Sequence, residues 1–587
     1  MAETPVNIDF LLDRPAVPEN TFEIALVMGG TVSAGAYTAG AVDFLIEALD
    51  CWETAVAKGD PAAPRHNVTI KVLTGTSGGG VMAAILARAL AYDFPHVSRT
   101  TDPLDAANNP LYQIWIDDLR LPGFLDNSDI VAKNFSSLLN PAPINNAAGK
   151  IAGFELPGKQ KSRRFLGTPL RVIVTLTNLT GIPFETDLGN GLSQTYVDHA
   201  DYAKFAVGLP QPDPMNPGNL VEWTVMPYPD EFGLTATPVA VPHQISWDDF
   251  AAFGMATGAF PIGFPPRSLS RPVDHYRYRV VAIPQVESTI PQFVALTPAW
   301  QQLGLPPGVN ATYHFWSVDG GATDNEPIEL ARTAMSGYRT RSFRAGDKAN
   351  RAVVLIDPFA GEADMGPSVK FAPDGSALPL SLFNLGGSFL NTLTQQTRYD
   401  TADLLLAADP DVYSRFMLTA TRKSLKNDKA YMGGDALATS GLDAFIGFAS
   451  EDYSRHDYFL GRQNCQDFLK NQFLLDKTNP IMAYGWQPSQ LAAHNLQNAP
   501  QLPIIPLLGS ALITQTLDDW PIEKLDPTEF KPAIEKRFDA IVNYELNEHP
   551  LLKAIDWIVN QLGGDGKVAD AVIGAMQTYI DTAKTRT

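Results

Sequence analysis

The chain has 587 residues, 45% of them apolar and 18% charged, with 64 acidic against 44 basic side chains for a net charge of −20. That apolar share can fill a sizeable core and excludes a disordered chain. The negative balance works against bulk attraction to nucleic-acid phosphates or an anionic membrane. Only Cys51 and Cys465 are present, which excludes a disulfide framework and a cysteine-based zinc site. The first residues, MAETPVNIDFLLDRP, are acidic where a signal peptide is basic. No uninterrupted apolar run reaches the roughly 18–20 residues of a transmembrane helix. Leu502 to Leu517 comes nearest, and Pro503 and Pro506 break it. A soluble, cytoplasmic protein is the expectation.

In chain order, Phe22 to Met28 is a short apolar run ending at Gly29-Gly30, the pattern of a buried strand entering a turn. After Gly40, Val42, Leu45, Ile46 and Leu49 recur at helical spacing. Val68 to Leu73 reads as a second strand, and Val81 to Tyr92 as a helix apolar nearly all round, with only Arg88 charged. Repetition of strand, Gly turn and helix predicts a mostly parallel sheet covered by helices. Arg171 to Leu176, Tyr276 to Ile283, Thr312 to Val318 and Ala352 to Ile356 read as further strands. Residues 181–245 show little periodicity and read as an insertion. Beyond about Leu380 helical patterns dominate, as in Leu382 to Leu406 and Tyr458 to Phe473.

Three segments carry chemistry. Gly75-Thr76-Ser77-Gly78-Gly79 has the G-x-S-x-G form of a nucleophile elbow, in which a tight strand-to-helix turn projects the serine hydroxyl. The pattern alone is weak, but a buried strand before it and a buried helix after it strengthen it. The helix starting there turns its N–H groups and positive dipole end toward the serine, which favours an oxyanion. Gly29-Gly30 and the following Thr31 have two readings, a phosphate loop or an oxyanion hole. The loop lacks both the G-x-G-x-x-G spacing and a Walker lysine. Asp319-Gly320-Gly321 ends a predicted strand; such a turn is ordinary by itself, and the spacing of Asp319, Asp324 and Glu326 does not fit a calcium loop. No histidine lies in any of the three segments.

In this order the segments resemble the patatin-like phospholipase family. Its members have a Gly-rich oxyanion loop after the first strand, a G-x-S-x-G elbow one helix later, and a D-G-G or D-G-A turn far downstream. Ala256 to Pro266 (ATGAFPIGFPP) is similar to the family's A-S-x-A-x-P-x-x-F-P-P block, and Val318 to Pro327 to its stretch around the aspartate. A weaker likeness to some bacterial members lies in Leu460 to Cys465. One departure is plain: the family's loop usually reads G-G-G-x-R/K-G, whereas here Thr31, Val32 and Ala34 replace a glycine and the basic residue.

The resemblance implies a three-layer αβα fold over residues 20–370, with insertions at about 181–250 and 268–312, and a helix-rich C-terminal part, 371–587, packed on or capping it. It implies a lipid acyl hydrolase using Ser77 as nucleophile and Asp319 as base, Gly29, Gly30 and Thr31 as oxyanion donors, Gly75, Gly78 and Gly79 shaping the elbow, and Gly320 and Gly321 the base turn. The expected substrate is an acyl lipid or simple ester, met through transient contact with a membrane surface, with no metal, organic cofactor or nucleic acid. Two alternatives stand beside it: a Ser-Asp-His triad drawing on His456, His494 or His549, and a non-catalytic lipid-binding protein of the same fold.

Overall fold

The computed structural model describes residues 6–587 apart from 132–136, 190–191, 217, 223–224, 236–242, 287, 289, 306–310, 360–404, 408, 410, 425, 427, 518 and 549–564. Its centre is a ten-stranded sheet. Numbering the strands of that sheet and the helices that bear on the argument, β1 is Thr21–Met28, α1 Gly35–Ala57, β2 Asn67–Gly75, α2 Gly78–Ala89, β3 Leu166–Gly189, β4 Leu192–Val207, β5 Glu231–Leu234 and α3 Trp247–Thr257. Then come β6 Arg267–Pro272, β7 Thr297–Pro298, β8 Thr312–Asp319, α4 Ile328–Ser336, β9 Arg351–Ile356, β10 Arg415–Leu418, α5 Glu451–Asn471 and α6 Asp565–Ala583.

The main path of the sheet runs β10-β9-β1-β2-β3-β8-β6, with β4 and β7 also on β3 and β5 beyond β4. From β10 to β3 every pairing is parallel, whereas β4, β7 and β8 lie antiparallel to β3. Buried parallel strands should be apolar throughout, because helices cover both faces. β1 and β9 are buried at every position. Ile24, Leu26 and Met28 face a large core shared with α1, α2, α3 and α5, while Ala25 and Val27 meet Ile328, Ala331 and Met335 of α4 on the other face. The result is a mixed α/β fold with helices on both sides of a mostly parallel sheet.

Three expectations differ from what is observed. The first long helix begins at Gly35, before Gly40. Its glycines serve packing: a Cβ on Gly40 would strike the Tyr458 backbone in α5, and one on Gly461 would strike Tyr37 O in return. Residues within 181–245 hold much of a long hairpin, since β3 and β4 pair from Leu170↔Val207 out to Gly189↔Leu192. Tyr276 to Ile283 is a 3-10 turn (Val273–Tyr278) followed by a short strand, Val280–Ile283, outside the main sheet. The expected helix Leu382 to Leu406 lies almost wholly outside the described residues.

Chain beyond residue 371 takes part in the same architecture. β10 extends the sheet beside β9. α5 packs along α1, where Arg462 forms ion pairs with Asp43 and Glu47 and Tyr458 donates to Asp43 Oδ2 (2.8 Å). The stretch Val32–Ala57 is long and apolar enough to cross a membrane, but 94% of its most apolar window is buried inside the protein.

Candidate active site

Ser77 and Asp319 meet because β2 and β8 end head to head along one edge of β3. Gly75, the last residue of β2, pairs with Val174, and Asp319, the last of β8, pairs with Leu176. The other edge of β3 is taken by β4 over the same residues. Hydroxyls stitch the junction: Thr76 Oγ1 lies 2.6 Å from Thr175 Oγ1 and donates to Asp324 O (2.9 Å), and Thr177 Oγ1 donates to Asp319 O (2.7 Å).

The elbow closes as its glycines demand. A Cβ on Gly75 would meet Gly79 O, and one on Gly79 would meet Met28 O, so neither position has room for a side chain. Ser77 sits at φ 53°, ψ −129°, a conformation that L residues adopt only under constraint. Its N–H donates to Thr257 Oγ1 (3.0 Å) at the end of α3. The hydroxyl that this turn projects donates to Asp319 Oδ2 at 2.6 Å.

Asp319 is only 5% exposed. Its Oδ1 accepts the Gly321 N–H (2.8 Å), and its own N–H donates to Ala259 O (2.9 Å). Burial pushes its carboxyl up to about 6, against the opposing pull of the Ser77 and Gly321 hydrogen bonds. Asp324 is likewise pushed up, to about 7, by burial. The carboxylate on Ser77 is therefore a stronger base than an exposed aspartate and is in direct contact with the hydroxyl.

Gly30 and Thr31 lie across the start of α2. A Cβ built on Gly30 would stand 3.4 Å from Ser77 Cβ, and one on Gly78 would stand 3.4 Å from Val32 N. The expectation for Gly29 needs correcting: its N–H donates to Ile356 O (3.1 Å), continuing the ladder with β9, and is already spent. The N–H groups of Gly30, Thr31 and Gly78 make no hydrogen bond among the described residues. The Thr31 side chain is 1% exposed, and its hydroxyl also lacks a partner among the described residues. Val32, at φ 46°, is a second strained residue in this loop.

Beside Ser77 opens a cavity of about 550 Å³, part of it continuous with solvent. Its walls include Trp115, Phe124, Met255, Phe260, Phe445 and Phe448. This lining is what an acyl chain needs, and Ser77 supplies its one hydroxyl side chain among the lining residues. Sequence reasoning reached Phe260 through the 256–266 block. It missed Trp115, Phe124, Phe445 and Phe448, because an aromatic at helical spacing reads as ordinary core. It also missed Thr257 and Asn325. The latter's Oδ1 occupies the space that a Cβ on Gly30 or Gly321 would need, packing the base turn against the loop.

His456 and His494 lie away from the cavity. His456 Nδ1 is 2.8 Å from Asp457 Oδ1, and His494 Nε2 is 3.0 Å from Ala62 O; neither lines the cavity. His549 lies outside the described residues. Among the described residues no group of three or more His, Cys, Asp or Glu could hold a metal ion.

Comparison with known proteins agrees with the geometry. Residues 26–332 match the model of the patatin-like phospholipase family. Over 546 residues the chain is 31% identical to the uncharacterized protein y4iI of Sinorhizobium fredii, with 89% of this chain and 75% of that protein covered. The family match spans both the serine elbow and the aspartate turn, and the chain belongs to the patatin-like phospholipase family of lipid acyl hydrolases.

Proposed function

We propose that this protein hydrolyses carboxylic esters of acyl lipids through a Ser77-Asp319 dyad. The observation that carries this reading is the 2.6 Å hydrogen bond from Ser77 Oγ to the buried Asp319 carboxylate. As Oγ bonds to the ester carbonyl carbon, its proton passes to Asp319 Oδ2. Collapse of the tetrahedral adduct breaks the bond to the alcohol, which takes that proton as it leaves. Water then attacks the acyl-enzyme, giving its proton to Asp319, and Ser77 recovers a proton as the fatty acid is released. Negative charge on the adduct's oxygen would be met by the N–H groups of Gly30, Thr31 and Gly78, with the Thr31 hydroxyl as a further donor. The start of α2 adds its positive end. The apolar cavity would take the acyl chain.

The test is labelling by a fluorescent alkyl phosphonate together with hydrolysis of chromogenic esters. The reading expects a covalent adduct on Ser77, and loss of both label and turnover in Ser77→Ala with an unchanged circular dichroism spectrum. A folded wild-type protein that neither turns over nor labels would instead be a lipid-binding protein of this fold.

A further inference from the structure

One wall of the cavity comes from residues outside the 26–332 family match. Phe445 and Phe448 follow the turn Gly441–Ala444 and line the cavity together with Ser77 and Gly78. Their rings close an aromatic set. Phe448 lies 5.1 Å from Phe124, and Phe445 lies 5.9 Å from Phe260 and 6.0 Å from Phe448, centroid to centroid. Phe124 is in turn 5.4 Å from Phe264. The cavity therefore has one aromatic wall built from distant parts of the chain.

The wall is held under constraint. Leu442, Asp443 and Ala444 have φ of 54°, 49° and 65°, three successive non-glycine residues in the left-handed region. Such a run persists only where its surroundings dictate it, and it is common at functional sites. Two anchors dictate it here. Ala444 O accepts the hydroxyl of Ser33, in the turn directly after Thr31 and Val32, and Gly447 approaches the same hydroxyl too closely to carry a Cβ. On the outer side the Tyr579 ring of α6 fills the space next to Gly441, and its hydroxyl reaches Leu437 O and Ala438 O, each at 3.0 Å. The C-terminal helix thus braces a turn that is itself fastened to the loop beside the nucleophile.

We propose that Phe445 and Phe448 set the length of acyl chain this enzyme accepts. The inference rests on the hydrolase reading above, because it assigns the cavity to the acyl group of the ester attacked by Ser77. An apolar chain gains binding with each methylene that finds a wall and loses it where the wall ends, so ring removal should admit longer chains. These are specificity residues and take no part in proton transfer.

The experiment measures the rate of Ser77 labelling by linear alkyl phosphonates graded from short to long chains, in wild type, Phe448→Leu, Phe448→Ala and Phe445→Trp. Phe448→Leu and Phe448→Ala should raise the long-to-short rate ratio, the alanine variant by roughly tenfold or more. Phe445→Trp, at a half-buried position on the cavity wall, puts a larger ring there and should lower it. Phe448→Leu and Phe445→Trp keep a large apolar side chain, so they carry the test if the alanine variant does not fold. An identical chain-length profile in all folded variants, with Ser77 still labelled by the short probe, overturns the proposal. Absence of label with every probe in wild type overturns the hydrolase reading itself.

Discussion

At the scale of single residues, Asp319 and Thr31 bear on the two ends of the reaction at Ser77, the proton that leaves and the charge that forms. Asp319 accepts the Ser77 proton only when ionised, and burial has raised its carboxyl to about 6. The kcat/KM profile should therefore rise with pH through about 6 and flatten above it. The same shift has a stability consequence of the opposite sense. A carboxyl raised above its unfolded value favours folding below the unfolded pKa of about 4 and loses that advantage as pH climbs through the folded value. A shift from 3.8 to about 6 corresponds to an order of 3 kcal/mol lost by about pH 8. Asp319→Asn should thus melt higher than wild type near pH 8, with the difference closing toward pH 4, as differential scanning calorimetry can follow. Thr31 offers a separate check. Thr31→Val removes a buried hydroxyl that has no partner among the described residues, so stability should hold or rise. If the hydroxyl meets the oxyanion, kcat should fall by about 10- to 100-fold with KM little changed, and Thr31→Ser should restore most of it. Equal kcat in Thr31→Val would remove the hydroxyl from the mechanism.

At the scale of elements, the site depends on how closely strand and helix approach. Gly79→Ala would place a Cβ against Met28 O, so β1 and α2 must separate. Chemical denaturation should show a loss of about 1–3 kcal/mol, and ester hydrolysis should fall with it because Ser77 moves with the turn. Much of this part of the fold was legible in the sequence. β1, β2 and β9 are short runs, wholly or largely buried, ending at Gly or Asp turns, and such strands leave that trace without help from the rest of the chain; β8 shows instead the alternation of a strand with one exposed face. The β3-β4 hairpin showed only as Arg171 to Leu176, because its outer half is largely exposed and built from polar residues such as Ser193, Gln194 and Thr195. The early start of α1 was hidden for another reason. Gly35 and Gly40 count as breakers in a sequence, yet in the fold they are the small residues that let Trp115 and α5 come close. Gly29 lost its expected role through register: only knowledge that β9 flanks β1 shows that its N–H is already taken.

At the scale of the whole molecule, residues near both ends of the chain share one core, and a buried ionic cluster joins them. Burial alone would raise the Asp43 carboxyl, but His96 and Arg462 beside it outweigh that and hold it down at about 2. The stabilisation it contributes is present above the ordinary carboxylate pKa and is lost as pH falls through about 2. Arg462→Ala would remove the guanidinium shared by Asp43 and Glu47 and leave Asp43 with only His96 as an ion-pair partner among the described residues, which costs about 3–5 kcal/mol near neutral pH. Chemical denaturation of the variant and wild type near neutral pH measures the loss directly. The aromatic wall of the cavity belongs to this scale too. Trp115, Phe260 and Phe448 are far apart in the chain, and nothing local marks them as neighbours.

The dyad is the claim on which the rest depends, and the kcat/KM of Asp319→Asn with a chromogenic ester near pH 8, on protein whose fold is verified by circular dichroism, tests it most directly. Replacing the carboxylate bonded to Ser77 should lower it by about a thousandfold or more, while His456→Ala and His494→Ala stay within a few-fold of wild type. Turnover by Asp319→Asn within tenfold of wild type would contradict the account.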